Sequence, residues 1–215
     1  MLVPPAGLCC GYPFGVNGQM EQQKGIELRN SIIFSQIWEM FSYLAFDAVV
    51  LTCGTCGDSF KAMEAGKIFG AHVMDAGTFA LESGSKSDPL GEVLYHQPCH
   101  DSLNGRAAQA ITRAGGTTAV VPHCCGEGTL AMSRPDISGK MFERKEDALR
   151  AALTRHPGRN TILTNCTSCL QGLGRQEALG VTVSHLAVSL AKAAGGPNWP
   201  RKFERLTRTS EVVTF

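Results

Sequence analysis

The stretch FDAVVLTCGTCGDSF, residues 46–60, decides the fold. Its apolar, Val-rich run is too short for a helix and ends at Cys53, and after the Cys-x-x-Cys turn DSFKAMEAGKIFG (58–70) returns to helical spacing. That is strand, cysteine turn, helix. NTILTNCTSC, residues 160–169, has the same form around Cys166 and Cys169. Each copy is preceded by a Cys-Cys-Gly, at Cys9-Cys10-Gly11 and at Cys124-Cys125-Gly126. The distance from Cys9 to Cys124 is 115 positions and from Cys53 to Cys166 it is 113, so the chain is an internal duplication.

The elements between these landmarks follow the same order in both halves. Leu28, Ile32, Ile33, Ile37, Phe41 and Leu44 recur every three to four residues, which predicts an amphipathic helix over 21–44. In the second half SRPDISGKMFERKEDALRAAL (133–153) predicts its counterpart, with Pro135 near the start, where a missing N–H is harmless. EVLYHQP (92–98) and TTAVVPH (117–123) read as strands around a helix in SLNGRAAQAITRAG (102–115), and VTVSHLA (181–187) as a further strand. Strands alternating with helices make an α/β fold of two units, each a small, mostly parallel sheet flanked by helices. Cysteines then sit at the carboxyl ends of strands, where such folds bind ligands. The polar ESGSKSDPLG (82–91) separates the halves. The expected units are 1–88, 89–197 and a C-terminal docking tail over 198–215, whose Trp199, Phe203 and prolines suit packing on the body.

Composition excludes several classes of function. Lys and Arg number 20 against 19 Asp and Glu in 215 residues, so there is no electrostatic footprint for nucleic acid or an anionic membrane. The apolar stretch 32–46 is broken by Gln36 and Glu39 and falls short of a bilayer span, leaving only peripheral association through an electron acceptor. MLVPPAGLCCGYPF lacks the basic and continuous apolar regions of a secretory signal, so the expected location is cytoplasmic. Nine cysteines, four of them in adjacent pairs, suit metal binding or redox chemistry better than a disulfide framework. No dinucleotide fingerprint, Walker loop or hydrolytic triad motif is present.

Three chemistries compete for these thiols. Zinc accepts four thiolates in a closed tetrahedron, but adjacent cysteines suit one small ion poorly and Cys99 would be surplus. A thioredoxin-like dithiol uses Cys-x-x-Cys at a helix start, yet has no use for the paired Cys-Cys-Gly. An iron–sulfur cluster uses several thiolates from separate loops, with glycines such as Gly11, Gly54, Gly57 and Gly126 leaving room for its sulfides. His96, His100 and His123 flank the thiols, where a hydrogen bond to backbone is commoner than ligation. Asp101 is placed to cap the helix that follows it. Arg201, Lys202, Arg205 and Arg208 form a basic stripe that reads as a solvated face.

LCCGYPF with TCGTC, and YHQPCHD with HCCGEG and NCTSCLQGL, resemble the tandem cysteine-rich CCG domains found in a subunit of heterodisulfide reductase and in the iron–sulfur parts of glycolate and lactate oxidoreductases. The closing ERLTRTSEVVTF is similar to the end of FAD-linked oxidases of the D-lactate dehydrogenase type. The resemblance implies a [4Fe-4S] cluster, cubane or non-cubane, on five cysteines of one unit. Here those are Cys99, Cys124, Cys125, Cys166 and Cys169. The first unit offers Cys9, Cys10, Cys53 and Cys56, and its fifth partner would fall about 15 residues before Met1, which implies a longer chain. The interval from Cys99 to Cys124 is shorter than the resemblance implies, which leaves the cluster type open. The implied function is an electron-transfer module of an FAD-dependent 2-hydroxy-acid oxidoreductase, with FAD on a partner domain or subunit. Disulfide reduction of the heterodisulfide reductase kind and a zinc-stabilised interaction module are the alternatives.

Overall fold

The structure is a computed structural model that describes residues 8–83, 88–128 and 134–209. The first unit opens with α1 (Tyr12–Val16) and the long α2 (Met20–Met40), then runs through β1 (Ala48–Leu51), α3 (Gly54–Ala62), α4 (Ala65–Phe69), β2 (His72–Asp75) and α5 (Ala76–Glu82). The second unit contains β3 (Gly91–His96), α6 (Ala107–Arg113), β4 (Gly116–Val121), the long α7 (Pro135–Arg155), β5 (Thr161–Thr164), α8 (Thr167–Gly174), β6 (Thr182–His185) and α9 (Leu186–Gly195). A last helix, α10 (Trp199–Arg208), follows. α2–β1–α3 and α7–β5–α8 are the two copies of the duplicated device.

Every described strand pair is parallel, in a two-stranded sheet β1-β2 and a four-stranded sheet β4-β3-β5-β6. β3 is buried from Val93 to His96 and β5 from Ile162 to Thr164, the continuous burial that a parallel sheet covered on both faces requires. Successive side chains point to opposite faces. Leu94 and Ile162 meet Leu149 and Ala152 of α7 on one face, together with Cys125, Cys166 and Cys169. Val93, Tyr95 and Leu163 meet Ile111 of α6 and Leu186 and Leu190 of α9 on the other. The second unit is therefore three layers, with its thiols in the α7 layer. In the first unit Phe34, Ile37 and Phe41 pack on Met63 and Ala65.

The expected strands all form, and β2 is an addition. The helical run over 58–70 divides, because Glu64 takes a left-handed φ of 56° between α3 and α4. The helix expected from 102 starts only at Ala107, after a turn at 102–105. Of the tail, Trp199 is half-buried and Phe203 is 52% exposed, and residues 210–215 lie outside the described residues. Part of the expected linker, 84–87, does so as well. No helix of the described residues is long and apolar enough to cross a membrane.

Candidate functional site

The two Cys-x-x-Cys turns are built alike. Cys53 and Cys166 are extended, at φ −143° and −134°, and each is the residue on which a helix, α3 or α8, begins. Cys56 and Cys169 then fall in the first turn of these helices. The two Cys-Cys-Gly turns also match. Gly11 and Gly126 have φ of +84° and +81°, a left-handed conformation that only glycine takes at no steric cost.

These turns bring eight thiols into one run. Cys99 Sγ lies 3.6 Å from Cys124 Sγ. Electrostatic coupling between neighbouring thiols carries the run on from Cys124 to Cys125, Cys169 and Cys166. Cys166 Sγ is 3.9 Å from Cys53 Sγ, across the boundary between the units. From Cys53 the run goes on to Cys56 and Cys10. Cys9 is half-buried beside it, its Sγ accepting from the Gly11 N–H at 3.5 Å. All nine cysteines are free thiols.

Neighbours in the run share protons. Donation from the Cys125 and Cys99 thiols lowers Cys124 to about 2. The Cys56 thiol lowers Cys10 to about 6, and the Cys166 thiol holds Cys53 far below the ordinary thiol range. Their partners Cys56 and Cys99 are pushed up correspondingly, as is Cys169 by Cys125 and Cys166. Cys10, Cys53 and Cys124 are thereby favoured as thiolates beside neighbours that keep their protons, and such a cluster of sulfurs suits a soft metal.

A buried basic pair backs the second set. Lys145, fully buried on α7, donates to the carbonyl oxygens of Val121 (3.2 Å), Pro122 (2.9 Å) and His123 (3.3 Å) and approaches His96 Nδ1 at 2.8 Å. Burial lowers His96 to about 3, with the Lys145 charge adding to it, and lowers Lys145 to about 8 against the pull of Cys125 and Cys169. One imidazole nitrogen of His96 and the sulfurs of Cys125 and Cys169 lie within 4.8 Å of one another. His96 Nε2 is buried with no partner of its own among the described residues. Convergent free thiols and an orphaned buried nitrogen fit a metal or metal–sulfur group among them.

Polar struts lock the units together at this point. Asn165, fully buried just before Cys166, accepts from Tyr95 Oη at 2.5 Å and donates to Ser102 Oγ at 2.7 Å. Ser102 in turn donates to Asp75 Oδ2 at 2.6 Å, in the other unit. His185 Nε2 bonds Thr52 O, just before Cys53, at 2.9 Å. His100 spans Asp58 Oδ2 at 2.7 Å and Tyr12 Oη at 2.9 Å, so both its nitrogens are engaged and it braces the interface. His123 is exposed and contributes its carbonyl oxygen to Lys145. Asp101 caps the turn before α6, accepting from Leu103 N and Gly105 N, and not the helix itself as its position in the sequence suggests.

Eight of the nine cysteines singled out in the sequence are thus joined in one run. Sequence reasoning misses Lys145, Asn165, Asp75, Tyr95 and His185. Lys145 carries a signal, since it shares the i, i+4, i+7 stripe of Leu149 and Ala152, where a charge is out of place.

A family model for the CCG cysteine-rich domain matches residues 1–61 and 93–174, one stretch in each half. The chain belongs to the CCG cysteine-rich domain family. This CCG chain is 26% identical over 180 residues to an uncharacterised iron-sulfur protein of Methanococcus maripaludis, covering 79% of the chain and 34% of that protein. A second uncharacterised iron-sulfur protein, from Methanocaldococcus jannaschii, is 26% identical over 181 residues, again 79% and 34%. A subunit of the fumarate reductase (CoM/CoB) of Methanothermobacter marburgensis is 22% identical over 186 residues, 78% of the chain and 34% of that subunit. The CCG chain therefore matches about a third of the length of each of these relatives.

Proposed function

We propose that the second set, Cys99, Cys124, Cys125, Cys166 and Cys169, holds one iron–sulfur group, that Cys9, Cys10, Cys53 and Cys56 form the first set, and that the chain is the electron-transfer part of an FAD-dependent oxidoreductase acting on 2-hydroxy acids. The observation that carries this reading is the unbroken run of free thiols across the unit boundary, with Cys53 and Cys166 sulfurs 3.9 Å apart. Membership of the CCG family and the iron-sulfur proteins among the relatives support it. A bound iron–sulfur group supplies single-electron exchange at a potential set by its thiolates, hydrogen bonds and burial. The chain's own residues do the rest. Helix starts at α3 and α8 place Cys53, Cys56, Cys166 and Cys169, the α7 layer excludes water, and His96 and Lys145 face the second set. The group is of the [4Fe-4S] kind in this reading, with FAD and the 2-hydroxy acid on a partner domain or subunit.

A second reading has one supporting observation. Cys99 is exposed while Cys125, Cys166 and Cys169 are buried, so the second set has a solvent-facing edge that a disulfide substrate can reach. Anaerobic mixing of the iron-loaded chain with reduced FAD or with dithiothreitol separates the two. Electron transfer from flavin predicts the EPR signal of a reduced cluster, with the yellow absorption of oxidised FAD appearing alongside it, when reduced FAD is added, and no bleaching with the dithiol. Bleaching by the dithiol alone favours disulfide chemistry.

A further inference from the structure

The two units treat the same position differently. Asn30 on α2 and Lys145 on α7 are 115 residues apart, the same offset as Cys9 to Cys124, and both are fully buried beneath a Cys-Cys-Gly turn. Asn30 Nδ2 donates to Cys9 O at 2.7 Å, and its Oδ1 is buried without a partner among the described residues. Lys145 satisfies three carbonyl oxygens at the end of β4 and beyond. The first set is therefore underlain by a neutral amide and the second by a cation.

Hydrogen bonds also fix the state of His96. Lys145 Nζ has four neighbours that can accept, three carbonyl oxygens and His96 Nδ1, so it stands as an ammonium that shares its three hydrogens among them. His96 Nδ1, 2.8 Å away, faces a group that only donates, so Nδ1 is the bare nitrogen and Nε2 carries the hydrogen. That Nε2–H has no acceptor among the described residues. Neutral carbonyls satisfy the ammonium's hydrogens and leave its charge uncompensated. Both the charge and the spare N–H face the side of the sheet that holds Cys125 and Cys169.

Reducing a site adds one negative charge to it, and a buried cation stabilises that charge more than a buried amide does. We propose that Lys145, with His96, makes the second thiol set the stronger electron acceptor of the two, so that an electron entering at the first set settles at the second. This rests on the iron–sulfur reading above. Lys145 acts here as a positioning and charge-setting residue that ligates nothing itself. His96 takes its hydrogen-bonding role from Lys145.

The test is an EPR-monitored redox titration of the iron-loaded chain, with iron and sulfide measured on each sample. Serine variants at Cys53/Cys56 and at Cys166/Cys169 assign the waves to the two sets. In the parent chain the higher-potential wave should belong to the second set. Lys145→Asn, which imports the residue of the first unit, should lower that wave at least tenfold in the reduction equilibrium, about 59 mV for a one-electron couple, at unchanged iron content. His96→Gln keeps the ammonium and its three carbonyls and should shift the wave by less than Lys145→Asn does. An unmoved wave in Lys145→Asn, a larger shift in His96→Gln, or a second-set wave below the first overturns the proposal. So does loss of iron from Lys145→Asn, which would make Lys145 a structural requirement of the site. Absence of iron and sulfide from the parent is a different failure, that of the iron–sulfur reading itself.

Discussion

Gly54 offers a sharp test of how the units meet. A Cβ at this position would lie 1.7 Å from His100 O and 2.8 Å from His100 C, both backbone atoms that cannot rotate away. Relieving the contact to 3.0 Å, the closest that real Cβ atoms approach, takes a movement of at least 1.3 Å between α3 and the His100 loop. Gly54 directly follows Cys53, so the movement also separates Cys53 from Cys166, now at 3.9 Å, and strains the His100 bonds to Asp58 and Tyr12. Overpacking costs typically 1–3 kcal/mol, and a clash with backbone belongs at the upper end. Gly54→Ala should therefore lose about 3 kcal/mol. With a urea slope of about 2 kcal/mol/M this lowers the midpoint by about 1.5 M. The assay is anaerobic urea unfolding of the reduced, metal-free chain followed by tryptophan fluorescence, with iron retention measured separately on loaded protein. A Gly54→Ala variant within about 0.5 kcal/mol of the parent, retaining its iron, would refute the close packing of the two cysteine turns.

Gly139 is an exposed position inside α7 with nothing within 4 Å of its would-be Cβ, so Gly139→Ala should gain up to about 1 kcal/mol in the same urea assay. Asn165→Ala removes the partner of Tyr95 Oη and of Ser102 Oγ in a buried network. It should cost about 2–4 kcal/mol, with a lower melting temperature as the readout. Nine thiols per chain should react with a disulfide reagent after denaturation and removal of metal under anaerobic, non-reducing conditions, and a smaller number would reveal a disulfide.

The repeated unit is plain in the sequence because β1, β3, β4 and β5 are short β-branched or apolar runs ending at or near a cysteine. The period change after Cys53 and Cys166 marks strand giving way to helix. β2 escapes because HVMD is four residues long with a single β-branched member and no cysteine behind it. The break at Glu64 depends on one left-handed residue that has no glycine or proline to announce it. The cysteines can be grouped by offset, yet the joining of the two groups at Cys53 and Cys166 cannot be read that way. It depends on contacts such as Ser102 with Asp75 and His185 with Thr52, between residues far apart in sequence. Lys145 is hidden by its type, since a lysine on a helix is ordinarily assigned to solvent. Only its neighbours Leu149 and Ala152 on the same stripe betray its burial.

The central claim is that the thiol run holds iron and sulfide. Metal and acid-labile sulfide analysis of anaerobically purified chain tests it most directly, repeated on the Cys166→Ser/Cys169→Ser double variant. The account predicts a brown protein with iron and sulfide in near-equal amounts, and loss of iron from the double variant. Stoichiometric zinc without sulfide, or iron unaffected by removing Cys166 and Cys169, would contradict it.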